Sequence, residues 1–223
     1  MMILIEALVS CSLLAIISWK MDVLTAPASV AAFVIGSLIW IVNGPFWVLL
    51  LACFMFIGYI GTKWKIDVKK KISVEESTTG KRSLENILAN GASPAMFAIL
   101  LSPLGFVGSI STALSDTLAS EIGVLSDKAR LITTWKKADP GTNGAVSPLG
   151  TFASALGAGT MAILSYFILG LSPLPTFFGG FLGCQVDSLL GATLERRGFI
   201  NKSVVNLIAT FSGGIIALIL SML

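Results

Sequence analysis

The sequence predicts an all-α fold: a single polytopic integral membrane helical bundle over residues 1–223, with about seven or eight transmembrane segments, some short or broken. Three observations carry this. The chain is 55% hydrophobic and only 12% charged, whereas soluble domains carry about 25% charged residues. Its apolar runs are continuous and approach the ~20 residues a spanning helix needs. They lack the alternation of a β-barrel, and only helices and closed barrels satisfy their backbone inside lipid. Finally, the basic residues crowd into a few short loops.

The segments fall at about 3–19, 24–43, 45–62, 86–102, 104–124, 146–170, 173–194 and 203–222. The first has no basic leader region, carries Glu6 near its start and lacks a small-x-small cleavage site before Trp19-Lys20, so it reads as a helix rather than a signal peptide. Asn43-Gly44-Pro45, Ser102-Pro103 and Ser172-Pro173 with Pro175 supply the breaks. Segments 86–102 and 104–124 are short or rich in Gly and Ser, and fit either a re-entrant pair or two full spans.

Topology follows from the 15 Lys and Arg. They occupy Lys20, the stretch Lys63 to Arg82, the stretch Lys128 to Lys137, and Arg196, Arg197 and Lys202. Pairs of segments separate these loops, so eight spans put every basic residue on one side. The positive-inside rule makes that side cytosolic in a cell-membrane protein, with both termini outside. Residues 63–85 then form a cytosolic basic loop, and 125–145 a cytosolic loop suited to phosphate. Trp19, Trp64 and Trp135 beside the charged loops, and Trp40 and Trp47 on the other face, read as interfacial belts.

The chain has no histidine, which excludes a Ser-His-Asp triad and His-ligated zinc or haem. Cys11, Cys53 and Cys184 lack metal spacing and read as packed thiols. A nucleic-acid partner is not expected; oligomerisation is left open.

Asp116, Glu121 and Asp187 stand out as acids within apolar stretches, where an ionisable group is costly. Thr112, Asp116 and Ser120 share a helix face, with Thr117 and Glu121 beside them. Asp116 lies roughly 13 Å, and Asp187 roughly 12 Å, from the basic end at about 1.5 Å per residue. Buried packing through small residues is the bland alternative. Two carboxylates at equal depth repel unless a cation lies between them. Mg²⁺ suits such oxygens together with substrate phosphates, making Asp116 and Asp187 metal candidates and Glu121 a supporting one. The turn Pro140-Gly141-Thr142-Asn143-Gly144 precedes a helix expected to start near Val146. With Lys136 and Lys137 before it and Ser147 after it, it reads as a phosphate cradle. Lys81 and Arg82 are further phosphate candidates, and Arg196 and Arg197 are placed to hold a lipid phosphate.

Ser115–Gly123 (SDTLASEIG), Pro140–Ser154 (PGTNGAVSPLGTFAS), Asp187–Gly198 (DSLLGATLERRG) and Leu88–Gly91 (LANG) resemble the integral membrane family known as domain of unknown function 92. That family includes transmembrane protein 19 and the plant phytyl-phosphate kinase. Ala145 replaces a glycine typical of the family, a small change. The resemblance implies phosphorylation of an isoprenyl monophosphate, of phytyl or geranylgeranyl type, to its diphosphate. It carries Asp116, Thr117, Glu121, Asn143 and Asp187 over as site residues, and its motifs contain Asn90, Ser120 and Ser188. More distantly, Asp116-Thr117-Leu118-Ala119 with Gly123 resembles an element of CTP-using membrane enzymes, implying CTP or another nucleoside triphosphate as donor with Mg²⁺.

The expectation is therefore a Mg²⁺-dependent isoprenoid-phosphate kinase. A CTP-dependent cytidylyltransferase uses the same parts, and a lipid or small-solute transporter is the alternative of another class. Lys69, mid-loop and far from every motif, is expected to tolerate substitution.

Overall fold

The computed structural model describes residues 1–72 and 80–223, so part of the expected 63–85 loop lies outside the described residues. In chain order the α-helices are α1 Met2–Lys20, α2 Ala26–Asn43, α3 Pro45–Lys63, α4 Ile66–Ile72, α5 Leu84–Ile99, α6 Pro103–Gly123, α7 Pro148–Leu169, α8 Pro173–Leu190 and α9 Lys202–Leu220. A π-helical turn, Gly191–Glu195, continues α8. Residues Arg130–Leu131 (β1) and Ala145–Val146 (β2) form a small antiparallel hairpin.

The breaks read from sequence act as helix starts. Thr25, Ser83, Ser102, Ser147 and Asn201 each accept a backbone N–H at an N-cap. Proline occupies the first turn of α2, α3, α6, α7 and α8, where its missing N–H costs nothing. Three small elements were not foreseen: the short α4, the hairpin and the π-turn. The hairpin also moves the start of α7 from near Val146 to Pro148, because Ala145 and Val146 pair with Leu131 and Arg130.

Among the described residues, six helices are long and apolar enough to cross a membrane: α1, α2, α3, α7, α8 with its π-turn, and α9. Helix α5 is shorter, at 16 residues, with Pro94 inside it. Helix α6 has 21 residues, long enough at ~31 Å, but is rich in Ser, Gly and Thr. It tolerates this polarity by sitting inside the protein. Helices α3, α5, α7, α8 and α9 all pack on it, and Gly105 to Ser115 are buried without a break. A helix enclosed all round needs no apolar stripe.

Small residues let the neighbours approach. A Cβ at Gly157 of α7 would lie 3.0 Å from the Ser115 Cα. The Thr112 hydroxyl donates to Gly108 O at 2.9 Å and to Gly179 O of α8 at 3.3 Å. Such contacts replace the hydrophobic drive that helices lack within lipid. At the opposite end from the charged loops, Trp47 of α3 stacks at a tilt on Phe106, ring centroids 4.6 Å apart, within a core that includes Leu50, Ile110 and Met161. Helix α1 packs chiefly on α2, which joins the bundle through α5 and α3.

The charged loops meet at one end. Arg82 N donates to Val23 O at 2.9 Å, and Thr25 N donates to Arg82 O at 3.1 Å, tying the α1–α2 loop to the start of α5. Asn143 of the 125–145 loop reaches Glu195 after α8.

Candidate functional site

Asp116 sits where α6 emerges from its enclosed stretch, ~10 Å before the helix ends at Gly123. Asp187 of α8 is buried, with 4% of its surface exposed. Its Oδ1 accepts from Lys202 Nζ at 2.8 Å, while Oδ2 is buried with no partner among the described residues. Lys202, the first residue of α9, lies within electrostatic reach of Asp116, Asp187 and Glu195 together. The two acids read from sequence as metal candidates, Asp116 and Asp187, therefore share one neighbourhood, and the cation beside them comes from the chain itself.

Arg82 enters the same neighbourhood from the other side. Its backbone is fixed by the bridge to Val23 and Thr25. Its guanidinium lies over the Phe54 ring, 5.1 Å from the centroid, and packs against Gly58 of α3. Nη2 is 3.5 Å from the Thr117 Oγ1, which itself donates to Ala113 O at 2.8 Å. Burial outweighs the opposing pull of Glu121 and Asp116 and leaves the Arg82 guanidinium lowered to about 10, so it stays cationic near neutral pH.

Glu121 takes a different partner from the one expected. Its Oε2 pairs with Lys69 Nζ at 2.7 Å. The same ammonium donates to Gly61 O at 2.9 Å and Thr62 O at 2.6 Å, closing the C-terminal end of α3. Lys69 is thus buried at the edge of the site, contrary to the expectation of a dispensable loop lysine. It sits on α4, a helix the sequence reading lacked.

The Pro140–Gly144 turn is held by Gly141 and Gly144 at φ +83° and +74°, the left-handed region that favours glycine. Gly144 packs directly on the Ala192 backbone in the π-turn, and Asn143 Nδ2 donates to Glu195 Oε1 at 2.7 Å. Thr142 N and Ala145 N are used in turn bonds to Asp139 O and Thr142 O. π-turns recur at functional sites because they re-aim side chains within a helix. Gly144→Ala combines an unfavourable φ with a Cβ inside Ala192. Its expected result is detachment of the loop, read as faster tryptic cleavage after Lys136 and Lys137, with activity falling in parallel.

The other candidates divide. Ser147 caps α7, accepting from Gly150 N at 3.1 Å and donating to Gly123 O at 3.3 Å, so the start of α7 is packed on α6 and separated from the turn by β2. Ser120 donates to Thr117 O, and Ser188 is half-buried one residue from Asp187. Lys81 pairs with the exposed Asp22 at 2.6 Å, near the end of α1, while Arg82 of that dipeptide lies within electrostatic reach of Glu121 and Asp116. Arg196 and Arg197 are exposed beyond the π-turn, and Pro140 and Thr142 are half-buried in theirs. Lys136 is exposed; Lys137 lines an open cleft of 860 Å³ with Lys128, Arg130 and Trp135. Asn90 is buried on α5, its Nδ2 donating to Asn86 O at 3.1 Å.

A divalent ion fits this donor set only with help. Among the described residues no three His, Cys, Asp or Glu side chains converge to cage a metal. Asp116 and the partnerless Asp187 Oδ2 are hard oxygen donors, and Mg²⁺ characteristically completes its shell with substrate phosphates and water.

The sequence profile of Integral membrane protein DUF92 matches residues 9–214. An uncharacterized membrane protein of Methanocaldococcus jannaschii is 36% identical over 97% of this chain and 93% of its own length. Protein VTE6, chloroplastic, of Arabidopsis thaliana is 33% identical over 88% of this chain and 65% of its own length. Protein PGR of the same plant is 30% identical over 88% of this chain and 80% of its own. No solved structure matches.

Proposed function

The chain belongs to the integral membrane family DUF92, and from that premise we propose that it is a membrane phosphotransferase extending an isoprenyl monophosphate to the diphosphate, with CTP favoured as the donor nucleotide. The observation that carries this is the carboxylate–cation cluster at the charged end, where Asp116, Asp187, Lys202 and Arg82 come together from α6, α8, α9 and the start of α5. The site faces the cytosol by the same charge argument that sets the topology.

The chemistry asks little of acid–base groups. A phosphate monoester is largely ionised at neutral pH, with its second pKa at about 6. Its oxygen attacks the γ-phosphorus of the nucleotide; the new O–P bond forms as the bond to the bridging β–γ oxygen breaks, and the nucleoside diphosphate leaves with the electron pair. What such a step needs is alignment and neutralisation of the charge on the transferring group. Arg82 and Lys202 are the fixed cations that flank the position. Asp187 orients Lys202 through the 2.8 Å contact, and Thr117 orients Arg82. Asp116 and Asp187 Oδ2 would hold a Mg²⁺ ion, which supplies further neutralisation of the nucleotide phosphates. The Gly141–Gly144 turn, packed through Gly144 on the π-turn that follows Asp187 in α8, is the segment that would meet the nucleotide phosphates.

The test is the purified protein with Mg²⁺, prenyl monophosphates and CTP or ATP labelled at the α- or γ-phosphate. Entry of the γ label into a lipid diphosphate is the expected result. Entry of the α label with release of pyrophosphate would reassign the site to nucleotidyl transfer. No covalent product from any prenyl phosphate, alongside uptake by proteoliposomes, would move the protein to the transporters.

A further inference from the structure

Helix α1 leans on α2 and stands apart from α3, which leaves an apolar groove between them, floored by α2 and α5. The groove has a volume of 280 Å³. It runs along α3 from Val48 to Tyr59, a length of ~16 Å at about 1.5 Å per residue. Its deep end is formed by Cys11, Gly36, Val48 and Leu51. At its charged-end mouth, the Tyr59 hydroxyl donates to Met21 O at 3.3 Å across the gap. Arg82 lines that mouth, and its guanidinium also touches Thr117, next to Asp116.

We infer that this groove is the seat of the isoprenyl tail of the lipid substrate, an inference that rests on the function proposed above. One residue joins the two sites. An anionic headgroup met by Arg82 stands beside the carboxylate cluster, and the groove between α1 and α3 gives the hydrocarbon attached to it an apolar path leading away from that same residue. The lining is small or flexible where a branched chain must pass: Ala15, Ala32, Gly36, Ala52 and Met55. Arg82 therefore serves as the hinge between tail binding and phosphate chemistry. The depth at which the groove ends at Val48 sets the tail length accepted.

The experiment uses full-length protein in phosphatidylcholine nanodiscs. Ala52→Trp, on a half-buried position halfway down the groove, blocks its deep half; Ala32→Phe does so from α2 should the first variant fold poorly. The ratio of kcat/KM for a C20 over a C10 prenyl monophosphate should fall at least about tenfold in either, since pocket discrimination by hydrocarbon size is of that order per missing group. Phe152→Trp, on the exposed face of α7, should leave the ratio unchanged. An unchanged ratio in both groove variants overturns the inference while leaving the kinase reading intact. In parallel, a C20 prenyl phosphate carrying a diazirine at its far end should label α1, α2 or α3 around Cys11, Gly36 and Leu51, competed by unlabelled geranylgeranyl phosphate. Labelling of α7 to α9, or labelling that competitor does not reduce because bulk phospholipid fills the groove, overturns it. Competed labelling in the groove without turnover of any prenyl phosphate upholds the tail seat and sinks the kinase.

Discussion

Asp187→Asn should lower phosphate transfer to the lipid by about 10²- to 10³-fold, the scale of losing one preorganised electrostatic partner. The amide keeps the shape of the side chain but removes the charge. It removes the anion that orients Lys202 at 2.8 Å, and it weakens the buried Oδ2 as a donor to a metal ion. The cost to folding should stay small, about 1 kcal/mol or less, because the Lys202 side chain is 38% exposed and can turn to water. The contrast between a large kinetic loss and a small thermal one is the diagnostic, read by labelled-nucleotide turnover and by melting of the detergent-extracted protein. Asp116→Asn should behave alike. Wild-type turnover in either variant removes that residue from the site.

Lys69→Ala should do the opposite: lower the melting temperature clearly, with a stability cost of about 3 kcal/mol. The lysine side chain is 8% exposed and has three partners, so its loss strands the Glu121 carboxylate and two carbonyls at the end of α3. Lys69→Arg should recover part of the loss, since the charge returns with a different reach. Melting indistinguishable from wild type would show that the ammonium is held there without stabilising anything.

The contrast between these two residues shows what the sequence could and could not disclose. Asp187 and Asp116 were legible because a charge within an apolar run is chemically conspicuous. The helix boundaries were legible for a related reason. Proline and the Ser, Thr and Asn caps mark helix starts by local chemistry, and local chemistry is written in consecutive letters. Lys69 and Lys202 were hidden because their meaning is a partner 52 and 15 residues away. Lys202 did carry one faint signal. A cation at the first position of α9, directly after the Asn201 cap, runs against the helix dipole and calls for a nearby anion. The contact of Gly144 with Ala192 left no comparable trace, since two small residues become neighbours only once α8 unwinds into its π-turn. The groove between α1 and α3 was equally invisible, because each helix on its own reads as an ordinary lipid-facing span.

The polarity of α6 has a consequence for how the protein is made. Segments partition from the translocon into lipid largely by their own hydrophobicity, and Ser, Gly, Thr and an internal aspartate give α6 little of it. Three of the helices that shield it, α7, α8 and α9, are synthesised afterwards. Retention of the segment bearing Asp116 is thus a debt settled only when the ribosome has finished the C-terminal third of the chain.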